Sequence, residues 1–136
     1  MGLEENKALV RRYYQEVLTG RDRDLLTRLL DPCFVSHVPG SADAGAGTYA
    51  AAVDTTLAAF ADLVVTVHDQ VAEEDRVVTR WSATGTHAGN FAGVPATGRL
   101  VTVSGIHIHR VQHGRLAEHW EELNLLGLLR QLGVLS

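Results

Sequence analysis

The chain has 136 residues, 46% of them apolar, and a formal net charge of −4 spread without like-charge blocks. That length implies one domain, 1–136, with a core large enough to enclose a ligand pocket. The mild acidity excludes the electrostatic footprint of a nucleic-acid binder, and a single cysteine, Cys33, excludes an intrachain disulfide or a cysteine zinc cluster.

Taken in chain order, Val10, Tyr13, Tyr14, Val17 and Leu18 recur at helical spacing and predict an amphipathic helix over 4–19, stopped at Gly20. A shorter helix over 23–30 ends before Pro32. Cys33, between Pro32 and Phe34, reads as a small buried hydrophobe. Phe34–His37 is a short extended piece broken by Pro39-Gly40, and the Gly- and Ala-rich stretch 40–47 is loop. Thr48 is placed to cap a third helix reaching Ala61. The apolar period then changes to two, predicting strands at Leu63–Val71, Val77–His87, Arg99–Val111 and Arg115–Leu123, with a polar turn at Glu73–Asp75. The Gly-rich connection Ala88–Gly98 suits a pocket rim, and Leu125–Leu135 reads as a last helix. Helices followed by an antiparallel meander make an α+β plan, helices on one sheet face, with a natural small-molecule site between the layers.

No apolar run approaches the ~20 residues that cross a bilayer, and the N-terminus lacks the pattern of a signal peptide. The expected location is the cytoplasm.

Chemistry concentrates on the last two strands. Alternation puts Val101, Val103, Gly105, His107 and His109 on one face. The partner face depends on register. A two-residue His113-Gly114 turn pairs His107 with Trp120. A three-residue turn with Gly114 as a left-handed bulge pairs His107 with His119 and sets Glu121 opposite Gly105. The second is favoured because glycine suits that loop position. It gathers His107, His119 and Glu121 inward, with His109 nearer the open edge and Glu118 and Glu122 turned away. The apolar company of Val101, Val103 and Leu123 describes a pocket wall rather than a solvated face.

Competing readings are weaker. His107-x-His109 with His119 and Glu121 could ligate a metal, but nothing else in the sequence reinforces it. Gly45-Ala46-Gly47-Thr48 lacks the third glycine of a phosphate loop. There is no Gly-x-Ser-x-Gly elbow, and the single lysine, Lys7, in the first polar turn argues against imine chemistry. His37 is placed either toward the pocket or on the surface. Arg80 and Trp81 face opposite ways, with Trp81 the better inward candidate. Tyr14, Phe91 and Val103 complete the candidate substrate contacts, with His37, Arg80 and Trp81.

Gly85–Gly89, Phe91–Arg99, Ile106–Val111 and the ending Gly114–Trp120 through Leu126–Gly133 resemble the SnoaL-like polyketide cyclases over essentially the whole chain. The resemblance implies the cone-shaped α+β barrel of the nuclear transport factor 2-like superfamily, with N-terminal helices packed in the concave face of a curved, mostly antiparallel sheet. It also implies a homodimer, no metal, no organic cofactor, and a polyketide-like small-molecule substrate. The family's cavity histidine lands on His107 and its aspartate on Glu121, a carboxylate one methylene longer. The activity implied is an intramolecular aldol closure. Glu121 would be its base, with a pKa raised by the apolar cavity. His107, and His119 beside it, would return a proton. Relatives of the limonene-epoxide-hydrolase type use an Asp-Arg-Asp set. Glu121 and Arg80 match two members, but Ser82 stands at the third. Epoxide opening by an internal hydroxyl, assistance to hydroxylation and plain ligand binding are the alternatives.

Overall fold

A computed structural model describes residues 2–135. Helix α1 (Leu3–Arg12) carries Glu4 and Glu5 in its first turn and Arg11 and Arg12 in its last, the charge order that suits a helix dipole. The sequence predicts one α-helix to residue 19, but from Tyr13 to Thr19 the backbone widens into a π-helix. Such turns are rare and frequently occur at functional sites. Here it carries two consecutive tyrosines, Tyr13 and Tyr14, into the interior together. Helix α2 (Arg23–Leu29) is capped by Asp22, whose carboxylate accepts from the Leu25 amide.

The extended piece at Phe34–His37 is part of a longer strand, β1 (Leu30–His37). Pro32 is tolerated there because the register slips between Leu30 and Val35. That slip leaves Cys33 exposed, against its expected burial. The two-residue β2 (Ala44–Gly45) precedes α3 (Ala46–Ala59), whose N-cap is Gly45 rather than Thr48. Strands β3 (Val64–Glu73), β4 (Arg76–Thr86), β5 (Leu100–Gln112) and β6 (Arg115–Leu123) follow, then α4 (Leu125–Gln131).

The sheet order is β2-β1-β6-β5-β4-β3. Every pairing is antiparallel except β1 with β6, which sequence periodicity did not reveal. The sheet is curved and unclosed, and the arrangement is the cone-shaped α+β fold. The core lies between helices and sheet, where Val10, Tyr14, Val17, Leu26 and Phe34 are buried with Val77 and Leu116.

The β5–β6 hairpin corrects the expected register. Its turn has two residues, His113 and Gly114, both left-handed (φ 54° and 71°), as a tight hairpin requires. Near the turn Gln112 pairs with Arg115 and Val111 with Leu116. A bulge then shifts the register, so that Leu116 and Ala117 are both buried. Beyond it, His109 pairs with His119, His107 with Glu121 and Gly105 with Leu123. The inward face has the expected members, but Glu121, not His119, stands opposite His107.

Candidate active site

A cavity of about 460 Å³ opens between the helices and the sheet. Its walls are largely apolar, including Val65, Ala83, Val101, Val103, Leu123 and Leu128, and one end is polar, built from Tyr13, Tyr14, Tyr49, His107 and Glu121. A largely apolar cavity with a few convergent polar groups is the usual form of a small-molecule site.

The centre of that polar end is the cross-strand pair. His107 Nε2 lies 3.2 Å from Glu121 Oε1. The contact is close but not aligned as a hydrogen bond, so a small rotation of either side chain completes it. On its other side, His107 Nδ1 is bonded to the Tyr14 hydroxyl at 2.9 Å, and the two rings stack with centroids 5.9 Å apart. Helix and sheet thus fix the imidazole from opposite edges. Burial pushes the Glu121 carboxyl up, but the adjacent His107 imidazole outweighs it and holds the group below its ordinary 4.5. This reverses the expectation of a raised value: the cavity is apolar, but the carboxylate is not alone in it. Burial pushes the Tyr14 phenol well above 10, so it stays protonated.

His109 and His119 belong to a layer behind the cavity wall. His119 is fully buried, with Nε2 bonded to the Ser36 hydroxyl at 2.8 Å and its ring stacked on His107 at 5.5 Å. Burial, followed by the nearby His107, lowers its pKa to about 3, so it is neutral around pH 7. His109 is not at an open edge: it is 1% exposed and neither ring nitrogen has a partner.

The model of the SnoaL-like polyketide cyclase family matches residues 8–132. The chain belongs to that family. It is 32% identical to aklanonic acid methyl ester cyclase DauD of Streptomyces sp. strain C5, over 92% of this chain and 80% of the relative. Among solved structures it superposes with a TM-score of 0.90 on AclR of Streptomyces galilaeus, described as a candidate hydroxylase. The two are 30% identical over 99% of this chain and all of AclR. IdmH of Streptomyces antibioticus, described as a candidate polyketide cyclase, gives 0.82 at 33% identity, covering 95% of this chain and 99% of IdmH.

Within this SnoaL-like fold the other predicted residues divide cleanly. Trp81, Phe91 and Val103 line the cavity with Tyr14, and Phe91 from the predicted rim packs edge-on against Phe60. Arg80 does not line it. It is on the outer sheet face, paired with Asp69 at 3.0 Å. Ser82 also faces outward, bonded to His68, so the partial epoxide-hydrolase set is split across the sheet. His37 also lies outside the cavity. Its Nδ1 meets Asp43 at 2.9 Å, its Nε2 meets Glu118 at 2.6 Å, and its ring stacks on Trp120. Among the described residues no group of three or more His, Cys, Asp or Glu side chains is placed to hold a metal ion. His107, His109 and His119 stack or meet edge to face instead of converging on a point.

Tyr13, which helical spacing assigns to a packed face, and Tyr49, on the third helix, also line the cavity, and neither stood out as a site residue in the sequence. The signal was there: each is a polar-tipped aromatic on the buried face of a helix, a type that usually finds a partner for its hydroxyl.

Proposed function

We propose that this protein catalyses a cofactor-free ring closure of a polyketide-type substrate by an intramolecular aldol reaction, with Glu121 as base and His107 as proton donor. The observation that carries this reading is the Glu121–His107 pair, 3.2 Å apart at the polar end of an apolar cavity. Family membership and the similarity to DauD support the reaction class.

In the reacting form Glu121 is a carboxylate and His107 an imidazolium, its Nδ1–H donating to the Tyr14 oxygen. Glu121 removes a proton from a methylene between two carbonyls, and the C–H pair becomes an enolate. The enolate carbon attacks a ketone carbon of the same molecule, forming the ring C–C bond and pushing the carbonyl pair onto oxygen. That alkoxide takes the Nε2 proton of His107. Transfer of the captured proton from Glu121 to His107 resets the pair. The product is an isomer of the substrate, so no co-reactant is needed. A lowered Glu121 pKa makes a weaker base but one fully ionised near neutrality, which suits a carbon acid already activated by two carbonyls. Neutral, buried His119 is a positioning residue in this scheme, stacked on His107 rather than touching substrate.

The reading extends to a cytoplasmic homodimer. Val71 and Ile106 are exposed on the outer sheet face, where apolar surface favours a partner. The molar mass from light scattering tests it.

Aklanonic acid methyl ester, named in the relative's activity, is the first compound to incubate. A new chromatographic species of unchanged mass supports ring closure, the compound recovered unaltered supports a ligand-binding role, and ester hydrolysis would give an acid lighter by one methylene. Glu121→Gln should slow turnover by about 10²–10⁴-fold. Full turnover in that variant removes Glu121 as the base.

A further inference from the structure

Tyr13, from the π-helical segment, and Tyr49, from α3, stand at the polar end of the cavity with Glu121 and His107. Their hydroxyls are hydrogen-bonded directly to each other. The side chains are 4% and 7% exposed. Neither hydroxyl has another side-chain or backbone partner among the described residues. Two phenols carry two O–H protons, and the bond between them uses one. The second has no protein acceptor, and a buried donor is costly to leave unpaired.

No other side-chain or backbone acceptor among the described residues, Glu121 and the Tyr14 hydroxyl included, is hydrogen-bonded to either phenol. The cavity that both rings line is where an acceptor for the second proton can be supplied.

We propose that the Tyr13–Tyr49 hydroxyl pair is a ligand-oxygen site. It donates its free O–H to a substrate carbonyl whose neighbouring carbon Glu121 deprotonates, and it holds the charge that develops on that oxygen as the enolate forms. The inference rests on the reading of Glu121 as the base. No proton leaves the phenols: the hydrogen bond strengthens as charge accumulates on the acceptor, the behaviour of an oxyanion site. The inner phenol polarises the outer one through their shared bond. Burial raises the pKa of both phenols, which keeps the pair protonated and donating. The Glu121 carboxylate is close enough to add to that rise. The donor and the base thus sit at the same end of the cavity.

Two probes of nearly the same shape separate oxygen recognition from packing: 2-acetylnaphthalene, which offers a carbonyl acceptor, and 2-isopropenylnaphthalene, which offers a methylene in its place. Calorimetry on the wild type should show the ketone binding about tenfold more tightly, the effect of one hydrogen bond. The infrared carbonyl stretch of the bound ketone should fall to lower frequency. In the Tyr13→Phe/Tyr49→Phe double variant the hydrocarbon should bind as before, while the ketone's advantage and its frequency shift disappear. Each single variant should retain part of both. Three outcomes overturn the proposal: an unshifted stretch in the wild type, an advantage that survives in the double variant, or an advantage lost only in Trp81→Phe. The last would make the buried, unpartnered indole N–H of Trp81 the donor. If the double variant fails to fold, the two single variants set against Trp81→Phe decide which group is the donor. Neither probe undergoes ring closure, so these results are independent of Glu121→Gln turnover, and the donor site and the base can fail separately.

Discussion

His109 on β5 and His119 on β6 stand directly opposite each other, their rings edge to face at 5.3 Å and both sealed from water. Burial, then neighbouring imidazoles, lowers both pKa values, that of His109 well below 6.5 and that of His119 to about 3. The unfolded chain binds a proton on each near pH 6.5, whereas the folded chain keeps them neutral. Their contribution to stability is therefore complete above pH 6.5 and is lost as pH falls. The expected slope is about 1.4 kcal/mol per pH unit for each histidine. His37 runs the other way. Its pKa is raised, first by Glu118 and then by Asp43, so its smaller, surface contribution is full below pH 6.5 and lost as pH rises through its folded value. Urea unfolding between pH 7.5 and 4.5 should show a steep net decline, made shallower by His109→Leu. A flat profile contradicts the assignment.

Glu121, held below 4.5 by His107, should give turnover that is level through neutrality on its acid side. The acid limb should lie below pH 4.5. A limb with a midpoint near pH 6 would mean the base is a raised carboxyl or a different group.

Tyr14→Phe removes the hydroxyl bonded to His107 Nδ1 and leaves the stacked ring in place. The expected cost in stability is about 1 kcal/mol. Under the proposed role of His107 as proton donor, kcat should fall while KM changes little. A change confined to KM would show that Tyr14 binds substrate instead of positioning His107.

Gly105 lies flat against Trp81. A Cβ placed there would be 2.6 Å from the indole Cζ2 and 2.7 Å from the Glu122 carbonyl oxygen. Gly105→Ala should therefore destabilise by about 1–3 kcal/mol, the usual cost of overpacking. It should also tilt the indole into the cavity. Thermal melts and a weaker affinity for 2-isopropenylnaphthalene check the two effects, and an unchanged melting point would refute the first.

His37 ties Asp43 to Glu118 and so clasps the segment 38–44, from which Val38, Ser41 and Ala42 reach the cavity. His37→Ala should speed amide exchange across that segment and raise KM with kcat retained. Global stability should move by no more than about 1 kcal/mol, since these are surface pairs. Exchange as slow as in the wild type would show that the clasp is idle.

The sequence by itself determined the order and type of nearly all elements, because helical and alternating periods follow from burial of one face. It also determined which residues of β5 and β6 face inward, since Val101, Val103 and Leu123 had to be buried and the histidines and Glu121 share their parity. Family motifs pointed to the same two residues, His107 and Glu121. Register was a different matter. A two-residue turn and a bulge at Leu116–Ala117 together reach the same faces as a three-residue turn, but with different partners, and parity cannot tell them apart. Only tertiary structure placed Arg80 and His37 outside the cavity and His119 behind its wall. The π-helical turn that brings Tyr13 to Tyr49 also required it, because that contact spans 36 residues and three helical segments. The sign of the Glu121 shift was likewise a tertiary result. Apolar lining alone pushes a carboxyl up, and the outcome depends on how closely one imidazole across the strand pair approaches it.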